Sequence, residues 1–191
     1  MPLIACLGWG SLIWDPRELP VQREWFSDGP FIPVDFLRQS SDGRMTLVLD
    51  TSASLVRSLW TVMDTPVLAE AVAALRKREG IAEKNVANYL GNWSRGDAAP
   101  KLIADLPQWA LSRGIEAAIW TALPAKFGQE DGRVATIEEV TSYLKGLTGR
   151  TRDEAERYIR YAPRQIDTLY RRKIEAALGW TPSEPPLPSY R

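Results

Sequence analysis

The chain has 191 residues, 45% of them hydrophobic, which is enough for one globular domain with a buried core. Its 24 basic and 24 acidic residues cancel, so net charge does not draw the chain to nucleic acid or membranes. Histidine is absent and cysteine occurs once, which excludes Ser-His-Asp and Cys-His catalysis, histidine-bound metals and an intrachain disulfide. Catalysis would therefore use carboxylates, hydroxyls, lysine, arginine, tyrosine, the thiol of Cys6 or the backbone.

The N-terminal segment predicts a core strand rather than a targeting signal. Residues 3–7 are apolar but few, and no basic segment precedes them. Their pattern is typical of a strand buried on both faces, with Cys6 as a core cysteine rather than a nucleophile. No run of about 18 apolar residues occurs, so no membrane span is predicted. We expect a cytoplasmic protein with no membrane partner.

Strand patterns dominate the first two-thirds of the chain. Apolar and β-branched side chains are concentrated in four further runs, at residues 34–39, 45–49, 55–63 and 115–123. The turn residues Ser40-Ser41-Asp42-Gly43 lie between the first two of these runs and predict a hairpin.

Helical patterns dominate the last third. Thr136 with Glu139, and Thr151 with Glu154, match capping boxes that open two helices. A further helix is predicted over residues 164–178 and another over residues 65–79. Strands followed by helices predict an α+β fold with one core.

The chain is expected to form a single domain over residues 1–180. Within it, residues 81–114 are interpreted as an irregular helical insertion over one rim. Residues 181–191 are rich in proline and are predicted to be an extended tail.

A glycine turn follows the first strand and is the first candidate site. Gly8-Trp9-Gly10-Ser11 ends the apolar run abruptly. Successive backbone N–H groups in such a turn form a concavity that binds a carboxylate or an oxyanion. The alternative is a strand-to-helix turn with two core tryptophans.

Glu79 is the second candidate site. Leu68, Val72, Leu75 and Glu79 are spaced by four, three and four residues, which places them on one helix face. That face is apolar until Glu79, so the carboxyl is directed toward the core. Desolvation and the helix dipole both favour the protonated form of such a carboxyl, as a general acid/base near neutral pH requires. The alternative is a frayed last turn with Glu79 in water, and Glu70 is assigned to the opposite, solvated face.

Two segments resemble the gamma-glutamylcyclotransferase-like family, most closely its ChaC branch. The segment Leu7-Gly8-Trp9-Gly10-Ser11-Leu12-Ile13-Trp14 resembles the signature Y-G-S-L-I-W. Residues 73–80, with sequence AALRKREG, are similar to the segment L-x-x-R-E-x-G, whose glutamate is the family's catalytic acid/base. Two departures are visible: Trp9 replaces the tyrosine, and Gly80-Ile81-Ala82 stands where G-G-Y follows the glutamate.

The resemblance implies both a fold and a reaction. The fold is a mixed β-barrel or sheet with surrounding helices. The reaction cyclises a gamma-glutamyl amine or peptide to 5-oxoproline and releases the amine, with no cofactor and no metal. By the resemblance, Glu79 is the catalytic acid/base, and the substrate-binding residues are Gly8, Trp9, Gly10, Ser11 and Leu12. The implied partner is a small gamma-glutamyl substrate, and no nucleic acid is expected.

Two other functions are consistent with the sequence. One is a non-catalytic module on the same fold that binds a small carboxylate in a tryptophan-rich pocket, which Trp9 and the missing G-G-Y favour. The other is an RNA or protein adaptor that uses basic C-terminal helices, where tyrosines interleave with arginines such as Arg171 and Arg172. An amphipathic helix pair with a solvated basic face is the simpler interpretation of that pattern.

Two arginines flank the predicted hairpin turn. The guanidinium groups of Arg38 and Arg44 suit a substrate carboxylate, while exposed hairpin charges are the simpler interpretation.

Overall fold

The first sheet is built around the N-terminal strand. In the computed structural model, which describes residues 2–185, this sheet has the order β5-β1-β7-β6. Strand β1 pairs with β7 in parallel and with β5 antiparallel, and β6 is antiparallel to β7. The bounds are Leu3–Gly8 for β1, Leu59–Val62 for β5, Leu90–Ser94 for β6 and Ile115–Thr121 for β7.

Both faces of β1 are buried, as the apolar run predicts. Ala5 and Leu7 belong to one hydrophobic cluster, whereas Ile4 and Cys6 belong to a second one. Alternate side chains of a strand point to opposite faces, so β1 separates two layers of core.

The second sheet contains the predicted hairpin. Its order is β3-β2-β8-β9, and β4 pairs with the first residues of β2. The bounds are Phe31–Gln39 for β2, Met45–Leu49 for β3, Leu55–Arg57 for β4, Lys126–Phe127 for β8 and Glu130–Asp131 for β9. The predicted run over residues 55–63 is therefore two strands in different sheets. They separate at the buried Ser58, whose hydroxyl donates to the carbonyl oxygen of Pro30 over 2.8 Å.

In the part of the chain that the structure describes, six α-helices and one short 3-10 helix surround the sheets, so the fold is mixed α+β. Helix α1 packs against the first sheet, and α5 and α6 pack against the second. The bounds are Leu68–Glu79 for α1, Val86–Tyr89 for α2, Leu106–Ser112 for α3, Ile137–Gly146 for α4, Gly149–Tyr161 for α5, Leu169–Leu178 for α6 and Glu83–Asn85 for the 3-10 helix.

Threonine side chains cap the first turns of α4 and α6. The capping box of Thr136 and Glu139 is confirmed, since each side chain accepts from the other's backbone N–H. The second predicted capping box, that of Thr151 and Glu154, is wrong. Thr148 is the N-cap of α5, and the helix already begins at Gly149, two residues before Thr151. Helix α6 begins only after Thr168, whose side chain accepts from the Arg171 N–H.

The segment over residues 81–114 is not wholly helical. It contains β6, which pairs with β7 and belongs to the first sheet. Gly91 in β6 leaves room for the Trp120 ring, since an added Cβ would lie 2.0 Å from its Cε2 atom. Of the predicted tail, residues 181–185 have no regular structure, and residues 186–191 lie outside the described part.

Arg171 ties the end of α5 to α6. The residue is 1% exposed. Its side chain pairs with Glu175 and donates to four carbonyl oxygens, those of Ile159, Ala162, Pro163 and Ile166. A cation is favourable at the C-terminal end of a helix, where carbonyl groups lack partners. The guanidinium therefore completes the hydrogen bonding of this buried corner.

We predict that Arg171→Ala lowers the free energy of unfolding by about 3–5 kcal/mol, because it leaves buried carbonyls and Glu175 without a partner. Arg172→Ala is the matched control, since its exposed side chain pairs with Asp167 at the surface, and it should cost less than about 1 kcal/mol. Urea unfolding measures both. Equal stability of the two variants would contradict the assignment.

Candidate active site

A cavity of about 1060 Å³ brings the two sequence candidates together. The turn after β1 contributes Trp9, Gly10, Ser11 and Leu12 to its lining, and the C-terminal end of α1 contributes Glu79. Such a volume is at the upper end of the range, about 300–1,000 Å³, that is usual for small-molecule sites.

The turn presents unpaired backbone donors. The Gly10 carbonyl accepts from the Ile13 N–H over 3.0 Å, and the Ser11 carbonyl accepts from the Asp15 N–H over 2.8 Å. Within residues 2–185, the N–H groups of residues 9–12 donate no hydrogen bond to the protein. These four amides therefore lack a protein partner, and successive amides of this kind in a turn can bind an anion.

The two glycines of the turn have different roles. A Cβ at Gly10 would lie 2.6 Å from the Tyr158 hydroxyl oxygen, so Gly10 allows a side chain from α5 to approach the turn. A Cβ at Gly8 would lie 2.5 Å from the Trp25 ring. Gly8 does not belong to the cavity lining in the described part of the chain. Of the predicted binding residues, Gly8 alone packs away from the cavity.

Glu79 is anchored, not frayed. Helix α1 ends at Glu79 because Gly80 adopts a left-handed conformation with φ of 67° and closes the helix end. The Glu79 side chain is 15% exposed, and its Oε1 atom accepts from Arg78 over 2.8 Å. The same oxygen accepts from the Thr121 hydroxyl over 3.4 Å. The carboxylate is thus held at the cavity wall rather than in water.

Arg78 links Glu79 to the glycine turn. Its side chain is 5% exposed. One terminal nitrogen donates to Glu79, and the other donates to the Ser11 hydroxyl over 3.1 Å and to the Asp15 carbonyl over 2.6 Å. This guanidinium therefore places a buried positive charge against the carboxylate. Arg78 lies on the buried face of α1 with Ala71 and Leu75, but the helical pattern did not reveal this role, because its partners Ser11 and Asp15 are more than 60 residues away in sequence.

Tyr158 is a cavity residue that sequence reasoning did not assign to the site. Its hydroxyl oxygen accepts from the Leu47 N–H over 3.3 Å, and its own proton has no protein acceptor within residues 2–185. Burial raises the pKa of Tyr158 to about 12. The hydroxyl therefore stays protonated and can donate to a bound group. The sequence contains no local signal for this, since Leu47 and Tyr158 are 111 residues apart.

Cys6 is confirmed as a core residue. It is fully buried on the α1 side of β1. Burial, and secondarily the Glu79 charge, raises the pKa of the Cys6 thiol to about 12. The thiolate that a nucleophile requires is strongly disfavoured there.

The C-terminal arginines are engaged within the protein. Arg171 lies in the interior, and Arg172 pairs with Asp167. Arg157 pairs with Glu154, and the next arginine along α5, Arg160, pairs with Glu156. Arg171 is therefore not available to RNA, and the remaining pattern fits an amphipathic helix pair with surface ion pairs.

Comparison with known proteins adds no assignment. No model of a protein family matches the chain, and no curated protein matches it significantly. Within residues 2–185, no three cysteine, aspartate or glutamate side chains are grouped so as to hold a metal ion. None of the helices there has the length and apolar character needed to cross a bilayer.

We predict that Gly10→Ala destabilises the protein by about 1–3 kcal/mol, because the new methyl group overlaps the Tyr158 hydroxyl. In a Tyr158→Phe background the same change should cost clearly less, since the overlapping oxygen is gone. Gly146→Ala is the control, as its Cβ would meet nothing within 4 Å. Urea unfolding of the four proteins of the cycle measures the coupling. An identical cost in both backgrounds would show that another contact requires Gly10.

Proposed function

We propose that the protein is a gamma-glutamylcyclotransferase-like enzyme that converts a gamma-glutamyl amine or peptide into 5-oxoproline and a free amine. The hydrogen bonds of Arg78 carry the proposal, because they connect the Glu79 carboxylate to the Ser11 hydroxyl in the turn with unpaired amides, and both groups lie at one cavity. Two mixed sheets with surrounding helices are compatible with the mixed barrel of that family.

The reaction suits the side chains that this chain has. The α-amino nitrogen of the substrate attacks the substrate's own γ-carbonyl carbon, a carbon–nitrogen bond forms, and the bond to the departing amine breaks. Since the nucleophile belongs to the substrate, the enzyme needs no histidine and no reactive thiol. Holding the substrate folded supplies much of the acceleration through orientation.

Proton transfer is the role we assign to Glu79. The attacking nitrogen begins as an ammonium and ends as a lactam N–H, so it loses two protons. The departing nitrogen begins as an amide N–H and ends as an ammonium, so it gains two. One carboxylate between them can accept and return these protons in turn. Arg78 and Thr121 both donate to Oε1, which leaves the second carboxylate oxygen for the substrate.

Anion recognition is the role we assign to the turn. The amides of residues 9–12 can bind the α-carboxylate of the substrate or the oxyanion of the tetrahedral intermediate. The Tyr158 hydroxyl lies beside Gly10 and adds a neutral donor there. In this proposal it supplies a hydroxyl near the position where Trp9 replaces the family's tyrosine.

We predict that Glu79→Gln lowers kcat for 5-oxoproline release by about 10²–10⁴-fold, because the amide cannot carry a proton. Substrate binding should persist, since the turn and Tyr158 are unchanged. Glu70→Gln is the matched control: it lies on the same helix, is exposed, and should keep full activity. The assay follows 5-oxoproline release from a panel of gamma-glutamyl compounds.

Two outcomes would contradict the enzyme proposal. Full activity of Glu79→Gln would remove the assigned role of the carboxylate. Binding of gamma-glutamyl compounds by the unmodified protein, with tryptophan fluorescence change but no 5-oxoproline, would identify a binding module instead.

A further inference from the structure

Three cations meet at one end of the second sheet. Arg38, near the end of β2, is the register partner of Lys126 in β8. Arg44 lies in the turn that joins β2 to β3. All three side chains line the cavity that contains Glu79. The hairpin and the parallel pairing with β8 therefore build a basic wall, which we define as Arg38, Arg44 and Lys126.

The basic wall carries unbalanced positive charge. Arg38 and Lys126 share one carboxylate, Asp131, over 3.4 Å and 3.8 Å, and Arg44 pairs with Asp42 over 2.7 Å. Three cations thus face two carboxylates. Asp42 and Asp131 are each about half exposed and do not belong to the cavity lining among the described residues, whereas all three cations do.

Arg44 also has an unused donor. Its Nε atom is buried and has no hydrogen-bond partner within residues 2–185. Buried polar groups in proteins are nearly always hydrogen bonded, and an exception needs an explanation. This Nε atom is occluded, so an oxyanion in the cavity would instead accept from the terminal nitrogens of the same guanidinium, whose side chain is 29% exposed.

The basic wall is within reach of a ligand at the glycine turn. The Arg44 guanidinium carbon lies 5.4 Å from the centre of the Tyr158 ring, and the hydroxyl of that ring approaches Gly10. The Tyr158 ring therefore spans the distance between the turn and Arg44. A gamma-glutamyl group occupies only part of a cavity of about 1060 Å³, which leaves room for a further group at the wall.

We propose that Arg38, Arg44 and Lys126 form a second anion subsite, which binds a carboxylate or phosphate on the part of the ligand remote from Glu79. This inference rests on the proposed function, because it assumes that the turn binds the gamma-glutamyl group. It names the substrate class: gamma-glutamyl compounds whose departing amine carries an anionic group. Gamma-glutamyl polyamines are disfavoured, since their cationic end would meet like charges.

The test uses ligands that cannot react. N-glutarylglycine and N-glutarylglycinamide keep the carboxylate of the gamma-glutamyl end but lack the α-amino nitrogen, so neither can cyclise. They differ only in whether the remote end is a carboxylate or a neutral amide. Calorimetric titration gives their dissociation constants on the full chain, whether or not the protein has turnover.

We expect the carboxylate ligand to bind at least about tenfold more tightly than the amide, as charge-assisted hydrogen bonds to arginine predict. Arg44→Gln and Lys126→Gln should each reduce this preference by about threefold or more. Arg95→Gln is the control, because its half-exposed side chain pairs with Glu116 and lies outside the cavity lining. Thermal unfolding checks that each variant is folded.

A third ligand separates the two anion sources. The N-glutaryl derivative of O-phosphoethanolamine carries a phosphate at the remote end. If it binds more tightly than N-glutarylglycine, the subsite is assigned to phosphate. If it binds more weakly, the subsite is assigned to carboxylate.

Equal affinity of the carboxylate and amide ligands, or a preference that survives Arg44→Gln and Lys126→Gln, would overturn the subsite. If the subsite were overturned but the protein still released 5-oxoproline, the proposed function would stand without the subsite. A charge preference without turnover in the unmodified protein would instead support the subsite and contradict the enzyme.

Discussion

The guanidinium of Arg78 is the interaction on which the candidate site depends. It holds the Glu79 carboxylate, the Ser11 hydroxyl and the Asp15 carbonyl at once, almost out of contact with water. A carboxylate that is only 15% exposed would be costly without this partner, and the turn would lose its link to α1. One side chain therefore stabilises the anion and sets its position relative to the unpaired amides.

Burial of β1 on both faces explains why these groups can meet. Cys6 and Leu75 of α1 belong to the same hydrophobic cluster, so the helix covers the face of the first sheet on which Cys6 lies, chiefly over β7. Glu79 follows Leu75 by one helical turn and lies on the same face. The end of α1 therefore comes to the loop that leaves the end of β1, and a core contact positions a polar site.

Charge in this protein is balanced overall and unbalanced locally. The chain has equal numbers of acidic and basic residues, and many surface arginines pair with neighbouring carboxylates. Among the described residues that line the cavity, two are acidic, Asp15 and Glu79, and six are basic. These cations are Arg17, Arg38, Arg44, Arg78, Lys126 and Arg157. A cavity of this character favours anionic ligands, because little acidic charge shares the surface with the basic groups.

The sequence by itself determined the core strand before the glycine turn, the β2–β3 hairpin, the Thr136 capping box and the inward face of α1 that ends at Glu79. Each of these follows from the period or capping of neighbouring residues. Only the tertiary structure decided that β6 joins the first sheet, that Arg78 reaches Ser11 across 67 residues of sequence, and that Tyr158 approaches Gly10. Periodicity reports which side of an element is buried, but not which distant element covers it.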